Sequence, residues 1–272
     1  MKKFLSILCV AVIICGLGCG LSGCKQEKGE FRVGLECAYA PFNWTQQDDS
    51  NGAVPIEGGG YAGGYDVEIA KIIAEGLGKD LVIVKTAWEG LPQALQSGTI
   101  DAIIAGMSPT AERKETIDFT ENYYKSDLVM VVKKGGAYEN ATSIQDFKGA
   151  KITAQLGTFH YTVIEQIEGV DQQTAMDDFT AMRVALESGI IDGYVSERPE
   201  GISATSANAN FAMVEFEDGF VASDDDVAIA AGIKKGNDDL REQINEILAG
   251  ISDEKRVELM DAAIRNQPSE QN

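Results

Sequence analysis

The sequence has few of the side chains that usually hold metals or act as nucleophiles. One histidine occurs in 272 residues, together with five cysteines and six prolines. A single histidine excludes a histidine-rich metal cluster and any chemistry that pairs two histidines. Basic residues are also scarce, because 23 Lys and Arg stand against 43 Asp and Glu, for a formal net charge of −20. This negative charge argues against nucleic acid or an anionic membrane surface as the main partner.

Long apolar runs are absent beyond the first residues. Lys2 and Lys3 precede an apolar run over 4–15 that is too short to span a bilayer, which indicates a signal peptide over residues 1–23. The run ends in Leu21-Ser22-Gly23-Cys24, which resembles a bacterial lipobox. We therefore expect lipidation (palmitate) at Cys24, with residues 24–30 as a tether; a generic signal cleaved elsewhere is the alternative.

Removal of this signal would leave a mature chain with a formal charge of −22. We expect it to be lipid-anchored at the extracellular face of the cell membrane, as a Gram-positive-type lipoprotein, and otherwise soluble. Of the five cysteines only Cys24 and Cys37 would remain, and Cys24 would be acylated. No disulfide within the mature chain is then expected, and Cys37 is interpreted as a small structural residue.

The remaining chain alternates short apolar strands with amphipathic helices. This alternation predicts an α/β protein with mostly parallel sheets flanked by helices, and its restart near residue 130 predicts two lobes. No phosphate-binding loop is present, and Gly58-x-Gly60-x-x-Gly63 follows a polar loop rather than a strand. The sequence therefore predicts no bound cofactor and no metal.

Several short motifs, in a fixed order, resemble the polar amino-acid solute-binding proteins of ABC importers. The resemblance covers the chain from about residue 31 to the C-terminus. Its markers are Glu36-x-x-Tyr39-x-Pro41-Phe42, Gly64-Tyr65-Asp66-Val67, Gly98-x-x-Asp101-x-x-x-Ala105-Gly106-Met107-Ser108-x-Thr110-x-x-Arg113, Phe119-Thr120-x-x-Tyr123-Tyr124, Gly157-Thr158 and Gly189-x-x-Asp192.

The resemblance implies the two-lobed type II periplasmic-binding-protein fold, with two hinge crossings and the ligand in the cleft. Lobe 1 would comprise residues 31–123 and 225–272, and lobe 2 residues 124–224. The expected function is to bind a free L-amino acid and deliver it to a membrane permease, with the transporter ATPase an indirect partner. We expect a monomer that is not an enzyme and binds no nucleic acid.

A free amino acid offers a carboxylate and an ammonium group, and an enclosed site must satisfy both. Arg113 follows a helix start that favours an anion, and its guanidinium can hold a carboxylate with two hydrogen bonds. The resemblance implies that Arg113 is the carboxylate ligand, with Ser108 and Thr158 as further donors. A solvated Arg113 paired with Glu112 or Glu115 is the alternative.

Glu197 occupies a position where the family usually has Asp, placed to pair with the ligand's ammonium group. The extra methylene keeps the charge and shifts it by about a bond length. Backbone carbonyls near Ala105 and Gly106 could complete the ammonium site. Pairing of Glu197 with Arg198 is the alternative.

The side-chain subsite is expected to contain an acid and two aromatic faces. Tyr39 and Trp88 match positions that sandwich the ligand side chain in related proteins, and Glu36 matches an acidic residue at the far end of the cleft. Cation–π contacts contribute about 0.5–2 kcal/mol each, so this set suits arginine or lysine. An uncharged ligand such as glutamine or cystine stays open, and so does packing of the two aromatics within the lobe.

Two further residues align near the pocket. Phe159 replaces a polar residue that is common in the family, and His160 is either a pocket residue or a hydrogen-bonded surface residue. A rival of another class is a dehydratase on the same fold. It would need a general acid or base in the cleft, for which Glu197 and His160 are the candidates.

Overall fold

The computed structural model describes residues 29–268. The predicted signal peptide and the lipidated Cys24 lie outside the described residues. The first strand begins at Glu30, the last residue of the predicted tether. No helix between residues 29 and 268 is both long enough and apolar enough to cross a membrane.

Fourteen strands and eight α-helices alternate along the described chain. The strands are β1 (Glu30–Leu35), β2 (Ala38–Tyr39), β3 (Asn43–Gln46), β4 (Val54–Pro55), β5 (Tyr61–Gly63), β6 (Asp80–Lys85), β7 (Ala102–Ile103), β8 (Ile117–Lys125), β9 (Leu128–Lys133), β10 (Lys151–Thr153), β11 (Asp171–Gln172), β12 (Gly193–Glu197), β13 (Phe211–Val214) and β14 (Ala228–Lys234). The helices are α1 (Tyr65–Gly76), α2 (Leu91–Ser97), α3 (Ala111–Lys114), α4 (Phe159–Thr162), α5 (Phe179–Ser188), α6 (Arg198–Ala207), α7 (Asp238–Ala249) and α8 (Asp253–Asn266).

Two five-stranded sheets form the centres of two lobes. The sheet of lobe 1 has the order β6-β1-β7-β14-β8, and the sheet of lobe 2 has the order β11-β10-β12-β9-β13. A small antiparallel sheet with the order β2-β3-β5-β4 is attached to lobe 1. The chain passes from lobe 1 to lobe 2 between β8 and β9 and returns between β13 and β14, so lobe 2 is an insertion.

The predicted two-lobed α/β architecture is confirmed, but each sheet is mixed rather than mostly parallel. β1 pairs in parallel with β6 and β7, whereas β14 is antiparallel to β7 and β8. Lobe 2 repeats this arrangement, with β12 parallel to β10 and antiparallel to β9. The physical reason is the double crossing: β8 leads the chain out of lobe 1 and β14 brings it back, so these neighbours run in opposite directions.

The apolar core follows the periodicity of the sequence. Ile69, Ala70, Ile73 and Ala74 of α1 are buried on one helical face, and residues 228–233 of β14 are buried on both faces of the sheet. The cluster that contains the lobe 1 core continues into Phe179 and other buried residues of lobe 2. A second cluster lies within lobe 2, around Phe147. Apolar contact therefore crosses the cleft.

Candidate functional site

The candidate site is a cleft between the carboxyl ends of strands from both lobes. Glu36 follows β1 and Gly106 follows β7 in lobe 1, whereas Thr158 follows β10 and Glu197 ends β12 in lobe 2. In open α/β sheets, ligands bind at the carboxyl ends of the strands. The fold thus brings together residues that are up to 161 positions apart in the sequence.

A small cavity lies in this cleft. It has a volume of about 10 Å³, which is roughly the room one water needs. Its lining residues come from both lobes: Tyr39, Trp88, Gly106, Ser108, Arg113, Gln155, Thr158, Phe159, His160 and Phe179. Eight of these ten were predicted from the sequence; Gln155 and Phe179 were not.

The other three predicted residues are buried directly behind this lining. Glu36 is hydrogen-bonded to Gln155, Glu197 is hydrogen-bonded to Tyr39, and Ala105 precedes Gly106. Gly106 has a φ of +64°, and a Cβ added to it would lie 2.6 Å from Cε1 of Tyr39. Only glycine therefore fits at this position.

Arg113 is held by backbone carbonyls from both lobes. Its Nη1 donates to the Ser108 carbonyl at 3.0 Å, and its Nη2 donates to the Gly157 carbonyl across the cleft at 2.9 Å. The guanidinium carbon lies 5.1 Å from the centre of the Trp88 ring. Burial lowers the pKa of Arg113 to about 10, so the guanidinium stays charged at neutral pH. Its position suits an anionic group of a ligand.

Thr110 starts the helix that carries Arg113. Its Oγ1 accepts a hydrogen bond from the backbone N–H of Arg113 at 3.3 Å. Across the cleft, Thr158 precedes α4, and its hydroxyl donates to the Gln155 carbonyl at 2.7 Å. Both ends of the expected carboxylate site are thus fixed by local hydrogen bonds.

Glu197 lies in a polar group with Tyr39 and His160. The Tyr39 hydroxyl donates to Oε2 of Glu197 at 3.1 Å, and Nε2 of His160 is 3.5 Å from Oε1. Oε1 of Glu197 and both ring nitrogens of His160 have no hydrogen-bond partner among the described residues. Burial, and then the nearby Glu197 carboxylate, raise the pKa of Tyr39 well above its usual value, so its hydroxyl remains a donor.

Glu36 is the second buried carboxyl group at the cleft. Its Oε2 accepts a hydrogen bond from Nε2 of Gln155 at 2.9 Å, and its Oε1 has no partner within residues 29–268. Burial, with smaller contributions from Asp178 and Asp66, raises the pKa of Glu36 to about 8, although the hydrogen bond from Gln155 lowers it. Cys37 is buried beside it as a free thiol, and burial raises the pKa of Cys37 to about 12. Cys37 is thus an unreactive residue, in agreement with the structural interpretation.

A buried network positions the lobe 1 half of the cleft. Asp66 is fully buried and accepts hydrogen bonds at 2.8 Å from the Tyr123 hydroxyl and from Nδ2 of Asn43. Tyr123 in turn accepts from the Gly106 backbone N–H at 3.2 Å, and Asn43 accepts from the Cys37 backbone N–H at 2.8 Å. Two loops that border the site are therefore fixed to α1.

Roomier grooves occur elsewhere on the described chain. One of about 460 Å³ lies at the hinge and is lined by residues such as Val129, Glu215 and Asp224. A second groove, of about 280 Å³, lies beside Arg198. The cleft differs from both grooves because several buried polar atoms without hydrogen-bond partners in the described chain lie at it. We therefore assign the site by chemistry rather than by volume. Residues 29–268 contain no group of three or more His, Cys, Asp or Glu that could hold a metal ion.

Two α/β lobes around a polar cleft, joined by two crossings, define the type II periplasmic-binding-protein fold. The profile of the bacterial extracellular solute-binding proteins, family 3, matches residues 31–262. The chain belongs to this family.

Two curated relatives and one solved structure illustrate the similarity. The arginine-binding extracellular protein ArtP of Bacillus subtilis is 32% identical over 161 residues, 58% of this chain and 57% of that protein. The L-cystine-binding protein TcyJ of Escherichia coli K12 is 35% identical over 153 residues, 56% of this chain and 53% of that protein. These matches span a little over half the length of each relative.

The solved structure is an amino acid ABC transporter substrate-binding protein from Streptococcus pneumoniae bound to L-arginine. It superposes with a TM-score of 0.77 at 28% sequence identity, over 87% of this chain and 94% of that protein. The likeness covers both lobes of the described chain.

Proposed function

We propose that this protein is an extracellular substrate-binding lipoprotein of an ABC-type importer that closes around a free L-amino acid, with arginine or lysine as the preferred ligand. The observation that carries the proposal is the pair of buried carboxyl groups, Glu36 and Glu197. Each has an oxygen without a partner in the described chain, and both adjoin a cavity that also contains Arg113. Two acids and one guanidinium complement the two cations and one anion of a basic amino acid.

The roles of the residues follow from this complementarity. Arg113 binds the α-carboxylate, aided by Ser108 and Thr158, and Glu197 binds the α-ammonium beside the backbone at Ala105 and Gly106. Glu36 binds the distal cation, with Tyr39 and Trp88 as aromatic faces. Phe159 and His160 complete the wall on lobe 2. The arginine-binding relative and the arginine-bound neighbour support this ligand class.

Closure would couple binding to transport. Lobe 1 is proposed to comprise residues 31–123 and 225–272, and lobe 2 residues 124–224. A ligand favours the closed form only through contacts that it makes with both lobes together. The closed monomer is proposed to dock on a membrane permease while Cys24 keeps it anchored at the cell surface, with no cofactor required.

The proposal predicts that calorimetry across the twenty amino acids will show the tightest binding for arginine or lysine. Arg113→Ala should weaken every ligand by about a hundredfold or more, because a buried anion loses its partner. Glu36→Gln should weaken arginine and lysine selectively. Arg241→Ala is the matched control, since Arg241 pairs with Asp238 on the surface of α7.

An uncharged ligand is the second candidate, supported by the L-cystine-binding relative. If the protein binds cystine or glutamine but neither arginine nor lysine, the ligand is an uncharged amino acid and the proposed cationic preference is wrong. The protein is proposed to return its ligand unchanged, so turnover of any tested amino acid would favour a dehydratase that uses Glu197 or His160.

A further inference from the structure

An aromatic ring from lobe 2 covers Tyr39. The rings of Tyr39 and Phe179 are almost parallel, at 8°, and their centres are 4.3 Å apart. Tyr39 belongs to β2 of lobe 1, whereas Phe179 starts α5 of lobe 2. This contact spans the cleft, and both rings line the cavity.

Lobe 1 itself packs a second ring on Tyr39. Phe42 lies 4.8 Å from Tyr39, between ring centres, and is fully buried with edge contacts to Tyr65 and Tyr124. Phe42 is fixed in the lobe 1 core and does not move with lobe 2. A ligand side chain that stacks on Tyr39 must therefore enter on the side of Phe179, which moves away when the lobes separate.

Phe179 is well positioned for this role. The Asp178 side chain caps α5 by accepting from the Ala181 backbone N–H at 2.8 Å, and Tyr194 packs edge-on against Phe179 with ring centres 6.2 Å apart. Gln155 donates both to Glu36 and to the carbonyl of Asp177. The acid Glu36 and the Phe179 ring are thus held at the same end of the cleft.

Trp88 makes a different contact. The guanidinium of Arg113 already lies over its ring at 5.1 Å. Trp88 therefore contacts the group assigned to the α-carboxylate, whereas the ring stacked on Tyr39 from lobe 2 is Phe179.

We propose that Phe179 is a specificity-determining residue and that the ligand's side chain binds between the rings of Tyr39 and Phe179, with Glu36 beyond it. This rests on the proposed function and revises one role in it: Phe179, in place of Trp88, is the second aromatic face of the side-chain subsite. A flat group between two rings needs roughly 7 Å between them, because carbon atoms in contact lie about 3.5 Å apart. The two rings would thus separate by roughly 3 Å, and a guanidinium would stack on both.

The test compares arginine with citrulline, its uncharged analogue of similar shape, by calorimetry on the mature chain. Phe179→Leu keeps an apolar side chain and removes the aromatic face. We expect arginine affinity to fall about tenfold and citrulline affinity about twofold. Phe220→Leu is the matched control, a half-buried aromatic of lobe 2 that contacts Phe216, and it should change neither affinity.

An unchanged ratio of arginine to citrulline affinity in Phe179→Leu would overturn the inference while leaving the proposed function intact. If the wild-type protein binds an uncharged amino acid instead, the cationic preference fails. The proposed subsite is then supported only if Phe179→Leu lowers the affinity for that ligand at least fivefold more than Phe220→Leu does. A crystal structure of the wild-type protein with its ligand tests the subsite without any substitution that could affect folding. A ligand side chain between the rings of Tyr39 and Phe179 supports the inference, and rings that remain stacked on each other refute it.

Discussion

At the scale of single residues, Glu36 is the group whose charge should respond to a ligand. Its pKa of about 8 means that the carboxyl group is mostly protonated at neutral pH. The acids Asp178 and Asp66 face it and raise its pKa, whereas Gln155 donates to it and lowers its pKa. A cation bound beside Glu36 would favour its ionised form and release a proton.

Arginine affinity should therefore rise with pH, by up to about tenfold per unit between pH 6 and 8, and level off above the pKa of Glu36. Calorimetry at pH 7 in buffers of different ionisation enthalpy should show close to one proton released per arginine bound. Glu36→Gln should bind arginine more weakly, with no such proton release. The same pH slope in both proteins would assign the effect to another group.

The pKa of Glu36 also has a consequence for the free protein. The pKa is raised above that of the unfolded chain, so the contribution of Glu36 to folding is fully present below the unfolded value and is lost as pH rises through about 8. A ligand cation would offset this loss. Binding and stability should therefore respond to pH in opposite directions.

At the scale of elements, α1 is an anchor for the site as well as a core helix. Asp66 in its first turn joins β3 through Asn43 and β8 through Tyr123. Burial raises the pKa of Asp66 to about 7, even though the hydrogen bonds from Tyr123 and Asn43 lower it. The network stays effective only while both donors have this acceptor.

Asp66→Ala should lower the free energy of unfolding by about 2–4 kcal/mol, because it leaves two buried donors without an acceptor. Urea denaturation provides the measurement. Glu75→Ala, at an exposed position of the same helix, is the control and should cost less than about 0.5 kcal/mol. An equal effect of the two substitutions would show that the network does not stabilise the fold.

The sequence was sufficient to predict elements whose pattern is local. Ile69 and Ile73 have the spacing of one helical face, which is typical of a helix such as α1, and the expected helix start before Arg113 is the start of α3. Phe179 could not be recognised as a cleft residue, because its helical spacing with Leu186 is equally typical of a core position. Its partner Tyr39 is 140 positions away, and only the packing of the lobes brings the two rings together.

The mixed sheets were missed for a related reason. Periodicity indicates that Leu128–Lys133 and Ala228–Lys234 are buried strands, and it contains no information on their direction. Direction follows from the hinge crossings. The residues of the family motifs lie together at the cleft, because the motifs fall at the carboxyl ends of strands, and their roles in binding stay predictions.

At the scale of the whole molecule, the net charge of −20 creates a field that attracts cations. Salt screens this field, with a Debye length of about 10 Å at 0.1 M ionic strength. The charge should therefore affect the rate of encounter more than the strength of the final complex.

The association rate constant of arginine should fall severalfold between about 0.01 and 0.5 M salt, whereas that of citrulline should change little. Stopped-flow tryptophan fluorescence can follow both, since Trp88 lines the cavity. An equal dependence on salt for the two ligands would exclude steering by the protein's charge.

Three hydrogen bonds join the lobes directly across the cleft: Arg113 to the Gly157 carbonyl, Tyr39 to Glu197, and Gln155 to Glu36. These protein groups thus compete with the ligand for the same hydrogen-bond partners. A ligand that holds the lobes apart breaks all three bonds, so a molecule that lacks one of an amino acid's charged groups would leave one of them broken and not replaced. Decarboxylated amines and deaminated acids would therefore be disfavoured twice, by the contact they cannot make and by the one they break. The cleft would reject fragments of its ligand without any steric barrier.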